Sequence, residues 1–174
     1  MVFGFLRGRG ADWIDKVSIE ELEKERIRVE TRANMVLRQI QRLEAEKERL
    51  YEYGKNVPEG EKVMIAEKIK NIEDEIASKQ REYGDLLRQR QALINLIRLK
   101  RWEAQLKKKG IWEKIKKVDP EKLIDKLADI KFEKESFDQN VEAIVAAIGP
   151  EIGGYPVDAR TKKIMEKMKG EEEK

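Results

Sequence analysis

Between Val63 and Lys109 the chain has no Pro and a single Gly, Gly84, and its apolar residues recur in alternating steps of four and three. The series runs Ile65, Ile69, Ile72, Ile76, Lys79, Tyr83, Leu86, Arg90, Leu93 and Ile97. Eight of these ten positions are apolar or aromatic, which is the seam of a coiled coil. One helix over residues 61–109 is about 70 Å long at 1.5 Å per residue. Such a helix cannot bury its stripe against itself, so other parts of the chain must cover it.

The first partner lies just upstream. Ser18-Ile19-Glu20-Glu21 reads as a capping box that opens a helix. Leu22, Val29, Val36, Leu43 and Leu50 then recur every seven residues, with Ala33 and Ile40 between them. This helix is expected to run to about Tyr53. Gly54 suits a left-handed C-cap, and the stretch to Gly60, with Pro58, breaks the pattern. So short a connection predicts antiparallel neighbours, a helical hairpin over residues 18–109 whose second helix is the longer. The overhang of that second helix carries Leu96, Leu99, Trp102 and Leu106, which need a further cover.

Gly110 interrupts the second helix. A short helix is expected over residues 111–118, with Trp112 and Ile115. Asp119-Pro120 then reads as an N-cap followed by Pro at the first helical position. An acidic amphipathic helix over residues 120–148 follows, with Leu123, Leu127, Ile130, Phe137, Val141, Ile144 and Ile148 on one stripe. Gly149-Pro150 ends it, and residues 149–174 read as a linker and a tail peptide. The fold class expected is all-α, since no alternating β-branched runs lie between turn signals.

Charge and composition narrow the function. Charged residues make up 42% of the 174 residues and aromatics 6%, a mixture that suits long helices and, weakly, a thermophile. Residues 88–117 hold eleven Lys/Arg against two Glu, a net of +9, while the whole chain nets +3. Arg88, Arg98, Lys100, Arg101, Lys107, Lys108 and Lys109 form the candidate basic surface for phosphate-bearing partners, membrane or nucleic acid. Residues 119–148 net −4.

The chain contains no Cys and no His. Neither a His-activated nucleophile nor a thiolate or Glu-x-x-His metal site can be built, and no Gly-rich phosphate loop follows a strand. No enzyme, metal or cofactor is expected. No apolar run approaches the ~20 residues that span a bilayer. The first segment, residues 1–17, opens instead as an amphipathic anchor. Val2, Phe3, Phe5 and Leu6 suit the bilayer interface, and Arg7 and Arg9 suit anionic headgroups. The same residues also suit a tail docked in its own core.

This layout resembles the ESCRT-III family and its archaeal Cdv-type relatives. The resemblance rests on the apolar N-terminus, the long hairpin, the short helix, the acidic helix and the tethered tail. Its most specific stretch is Asp119-Pro120-Glu121-Lys122-Leu123-Ile124-Asp125-Lys126-Leu127-Ala128-Asp129-Ile130, which is similar to the start of the family's fourth helix. It implies a cytoplasmic protein, peripheral to the inner face of a membrane, that polymerises on anionic lipid in cell division, budding or repair. It implies self-assembly through Leu96, Leu99, Trp102, Leu106, Leu123, Leu127, Phe137 and Val141, with hinges at Gly110 and Pro120. It also implies an AAA ATPase partner at the tail, where Asp158, Met165, Met168 and Lys169 match the family motif; Thr161 and Ile164 depart from it. Two other readings stand beside this one. One is a nucleic-acid-associated protein using residues 88–117, against which count the few aromatics available for stacking. The other is a plain structural coiled-coil adaptor.

Overall fold

The computed structural model describes residues 4–6, 9–10, 12–132, 137–149, 160, 163–164 and 167–168. Seven α-helices occur among them: α1 (Trp13–Lys16), α2 (Ile19–Gly54), α3 (Glu59–Arg101), α4 (Glu103–Lys108), α5 (Trp112–Lys116), α6 (Pro120–Ala128) and α7 (Phe137–Ile148). No strand is present among the described residues. The chain forms two compact units: Arg26–Arg90, and Met1–Glu25 together with Gln91–Lys174.

The Arg26–Arg90 unit is the body of the hairpin. Its cross-links fall in number on one helix as they rise on the other: Arg90 Nε donates to Glu30 (2.9 Å), Arg32 to Glu82 (2.7 Å) and Tyr51 Oη to Glu73 (3.4 Å). The helices are therefore antiparallel. Val29, Ala33, Val36 and Ile40 are buried on α2, and Ile65, Ile69, Ile72, Ile76 and Leu86 on α3. These are the seam positions that the spacing predicts.

The turn differs from expectation. Gly54 is the last residue of α2 and does not take a positive φ; among the described glycines only Gly10 and Gly110 do. A Cβ at Gly54 would sit 3.4 Å from the Ile65 side chain, an ordinary contact, so packing does not demand a glycine there. Pro58 stands just before α3, and its carbonyl accepts from the amides of Glu61 (3.0 Å) and Lys62 (3.1 Å). Gly60 lies inside the helix.

The second unit holds the deepest core. Its helices come from the N-terminal segment, the start of α2, the end of α3 and all of α4 to α7. The capping box forms as its residues dictate: Glu21 N–H donates to Ser18 Oγ (3.0 Å), and Ser18 N–H donates to the Glu21 carboxylate (3.2 Å). The Ser18 amide first, then Arg9, hold the Glu21 carboxyl below its ordinary value.

Two long helices expected from the sequence are interrupted. The second helix stops at Arg101 and resumes at Glu103. At Trp102 the amide donates to both Arg98 O (3.0 Å) and Leu99 O (3.1 Å), so the turn tightens toward 3₁₀ geometry. The acidic helix expected over residues 120–148 is two helices: α6 ends at Ala128 and α7 begins at Phe137. Residues 133–136 of that expectation lie outside the described residues.

Candidate functional site

The break after α6 has a physical cause on α3. Asn95 is fully buried, and its Nδ2 donates to Leu127 O (2.6 Å) and Ile130 O (2.9 Å). The last carbonyls of a helix have no partner within it, and here a side chain from another helix supplies one. Gln91 Nε2 donates in turn to Asn95 Oδ1 (3.2 Å). Both donors of the Asn95 amide and its acceptor are thus engaged. The chain leaves the helix at Asp129 and turns Ile130 inward. Asp119 takes the N-cap position before Pro120 without a side-chain cap bond, and Leu123 N–H donates to Asp119 O (3.0 Å).

Beyond Ile130 the cover is aromatic. Trp102 meets Phe132 edge-on at 5.5 Å between centroids and Phe137 at 5.7 Å. Cations lie over both Phe rings: the Arg98 guanidinium at 5.4 Å from Phe132 and the Lys109 ammonium at 5.5 Å from Phe137. All three rings are only half-buried. α6 and α7 pack on each other, as do α4 and α5.

Gly110 closes α4 with a left-handed residue, φ +72°. Ile111 N–H returns to Leu106 O (3.0 Å) and Gly110 N–H to Lys107 O (3.1 Å), the two bonds of a Schellman motif. A side chain at this φ would be strained.

The N-terminal segment is tied to the same unit by polar bonds. Trp13 Nε1 donates to Val118 O (3.3 Å), Lys100 Nζ to Ile14 O (2.9 Å) and Trp112 Nε1 to Asp15 Oδ1 (2.9 Å). Lys116 forms an ion pair with Asp15. Partial burial works to raise the Asp15 pKa, but the bonds from Lys116 and Trp112 outweigh it and hold the carboxyl below its ordinary range. The same carboxylate raises the Lys116 pKa.

The residues singled out from sequence are distributed as follows. Of the lipid-anchor set, Val2, Phe3 and Arg7 lie outside the described residues, as does the Phe5 side chain. Leu6 is only 2% exposed, and Arg9 donates to Lys16 O (3.0 Å) and to Glu21. In this structure both are turned to their own chain. Leu6 corrects the lipid reading for itself, because burial against protein already satisfies its apolar surface.

Of the basic set, Arg88 belongs to the hairpin body and is exposed. Arg98, Lys100, Arg101, Lys107, Lys108 and Lys109 fall in the other unit. Lys100 is largely occupied by Ile14 O and Glu103. Arg101 pairs with Glu23 (3.7 Å), Lys107 with Glu103 (3.9 Å) and Lys109 with Asp138 (3.5 Å).

The self-assembly set is brought together within one molecule. Leu96, Leu99, Leu106, Leu123 and Leu127 are fully buried and Val141 is buried; Trp102 and Phe137 are half-buried. α6 and α7 share this unit with the overhang and touch it at Asn95, bonded to Leu127 O, and at Trp102, edge-on to Phe137. In the tail, Ile164 and Met168 are helical and exposed, while Asp158, Met165 and Lys169 lie outside the described residues.

Asn95 and Asp15 were not anticipated. The signal for Asn95 was present: one amide inside the apolar run Leu93-Ile94-Asn95-Leu96-Ile97 has to find a partner when buried. No helix among the described residues is long and apolar enough to cross a membrane. No family model matches this chain, and neither the curated proteins nor the solved structures contain a match.

Proposed function

We propose that this chain is a self-assembling helical scaffold of the ESCRT-III type that works on anionic membrane surfaces, here in a closed form. One observation carries the reading. Leu96, Leu99 and Leu106 are fully buried in the unit that also holds α6 and α7, and among the described residues the ties between the overhang and the 127–137 stretch are few. They comprise one side-chain cap at Asn95, half-buried aromatic edges at Trp102, and amphipathic helices entered through the Gly110 and Pro120 turns.

Opening would expose complementary faces on a single molecule. Leu123 and Leu127 of one copy then cover Leu96 and Leu99 of the next. Such a head-to-tail contact does not close, so it builds a filament. The neighbouring cations Arg98, Arg101, Lys107, Lys108 and Lys109 supply attraction to lipid phosphate. Val2, Phe3, Phe5 and Arg7 add a weak anchor that a polymer multiplies. An AAA ATPase acting on the tail, where Met168 is exposed, completes the proposed cycle.

The test is flotation of full-length protein and of a variant lacking residues 1–10 with anionic and with neutral vesicles, followed by electron microscopy. Salt-sensitive flotation with anionic vesicles, weakened by the deletion, and filaments on the lipid are expected. Protein that neither floats nor polymerises would overturn the reading. If it instead shifted nucleic acid in a salt-titrated gel, the basic stretch would be assigned to that partner.

A further inference from the structure

The outward row of α3 in the hairpin body has a charge order of its own. Residues seven apart share one line along the helix, and the line opposite the seam reads Glu67, Asp74, Arg81, Arg88. All four are exposed. Two acids are followed by two bases, and both acid–base pairs share one midpoint: Asp74 with Arg81, and Glu67 with Arg88.

From this pattern we infer that the outer face of α3 pairs antiparallel with α3 of a second copy, across a two-fold axis between Ala77 and Ser78. In that alignment Asp74 meets the partner's Arg81 and Glu67 the partner's Arg88, and each pair occurs twice. A parallel alignment sets acid on acid and base on base. An isologous antiparallel dimer sets each half of the row against the other half, so two acids followed by two bases complement themselves across its axis.

The rest of the face agrees. Of the large apolar residues left exposed on α3 (Val63, Met64 and Leu87), the same alignment sets Leu87 within a turn of the partner's Ala66. Gly84 also lies here. A Cβ at Gly84 would meet nothing within 4 Å, so the hairpin's own packing does not require Gly there. Gly in a helix interior weakens the helix relative to Ala. A close-lying second helix gives that position a use. Exposed ion pairs are individually weak, so their role is to set orientation, and the pairing is salt-sensitive.

This inference is separate from the membrane reading, and its test contains no lipid. Sedimentation equilibrium of the full chain at low salt should show a monomer–dimer equilibrium that shifts to monomer at high salt. The double variants R81E/R88E and E67K/D74K should each remain monomeric at low salt, because each face then repels its copy. An equimolar mixture of the two should restore dimers. Gly84→Gln should remove the dimer while keeping or raising helical content by circular dichroism, which separates lost pairing from lost folding. A wild-type chain that stays monomeric at low salt would overturn the inference. So would a smallest associated species other than a dimer, folded charge variants that dimerise like the wild type, or a mixture that fails to restore the pairing.

Discussion

The two units bury the same residue types to different depths. In the hairpin body, Ile65, Ile69, Ile72 and Ile76 each keep 5–8% of their surface in contact with solvent. In the other unit Leu22, Leu93, Leu96, Leu99, Leu106, Trp112, Ile115, Leu123 and Leu127 keep none. Val36 shows that the hairpin seam can close fully at one point, but two helices side by side do so at fewer positions than several short helices packed together. The connections differ as well. The hairpin is cross-linked by exposed ion pairs, and the multi-helix unit by buried side-chain bonds to backbone carbonyls. Folding energy is therefore concentrated in the multi-helix unit, and unsatisfied surface in the hairpin.

The largest expected effect tests that concentration directly. Trp112→Ala should destabilise the chain by roughly 3–5 kcal/mol, since a fully buried ring and its bond to Asp15 are lost. Ile69→Ala on the hairpin seam should cost about 2 kcal/mol, near the lower end for such truncations. Urea unfolding followed by circular dichroism compares them, and equal losses would break the distinction between the units.

Asn95→Leu comes next. It fills the site but leaves the Ile130 carbonyl without the Asn95 donor and Leu127 O with only the Ile130 amide (3.3 Å), at a cost of roughly 1–3 kcal/mol. Amide hydrogen exchange should accelerate in α6 and α7 before it does so in the hairpin body. Uniform acceleration across both units would argue against a local cap.

Acid should act locally in the same unit. The Asp15 carboxyl titrates below its ordinary 3.8 in the folded chain, so its contribution is complete above that pH and is lost as pH falls below it. Tryptophan emission should hold steady from neutral pH to about 3.8 and change below it, and Asp15→Asn should remove that transition. The smallest effect belongs to the hairpin surface. Arg32→Ala, which breaks the bond to Glu82, should shift stability by about 1 kcal/mol or less, and by less still at high salt.

Much of the hairpin was legible because its signals are local and periodic. The seam, the Ser18 capping box and the Gly110 stop each follow from a few adjacent residues. The division of the acidic helix was not legible. Its stripe from Leu123 to Ile148 keeps phase across the break, and no Gly or Pro lies within residues 121–148 to mark it. The break is set by Asn95, more than thirty residues away in sequence. The N-terminal segment was ambiguous for another reason. Apolar residues beside Arg suit a lipid interface and a protein core equally, and only tertiary packing assigns Leu6, Trp13, Ile14 and Val17 to the core.

The closed arrangement of α6 and α7 over α3 and α4 is the claim on which the functional reading rests. Lys108 and Glu142 are exposed within that one unit, and the chain has no Cys, so a Lys108→Cys, Glu142→Cys variant accepts spin labels at two defined positions. Pulsed dipolar spectroscopy, with the labelled chain diluted in unlabelled protein, then reads the intramolecular distance. One narrow short distance is expected in solution, giving way to a longer, broader distribution on anionic vesicles. A distance unchanged by vesicles that the protein demonstrably binds would contradict the exchange of α6 and α7 between neighbours.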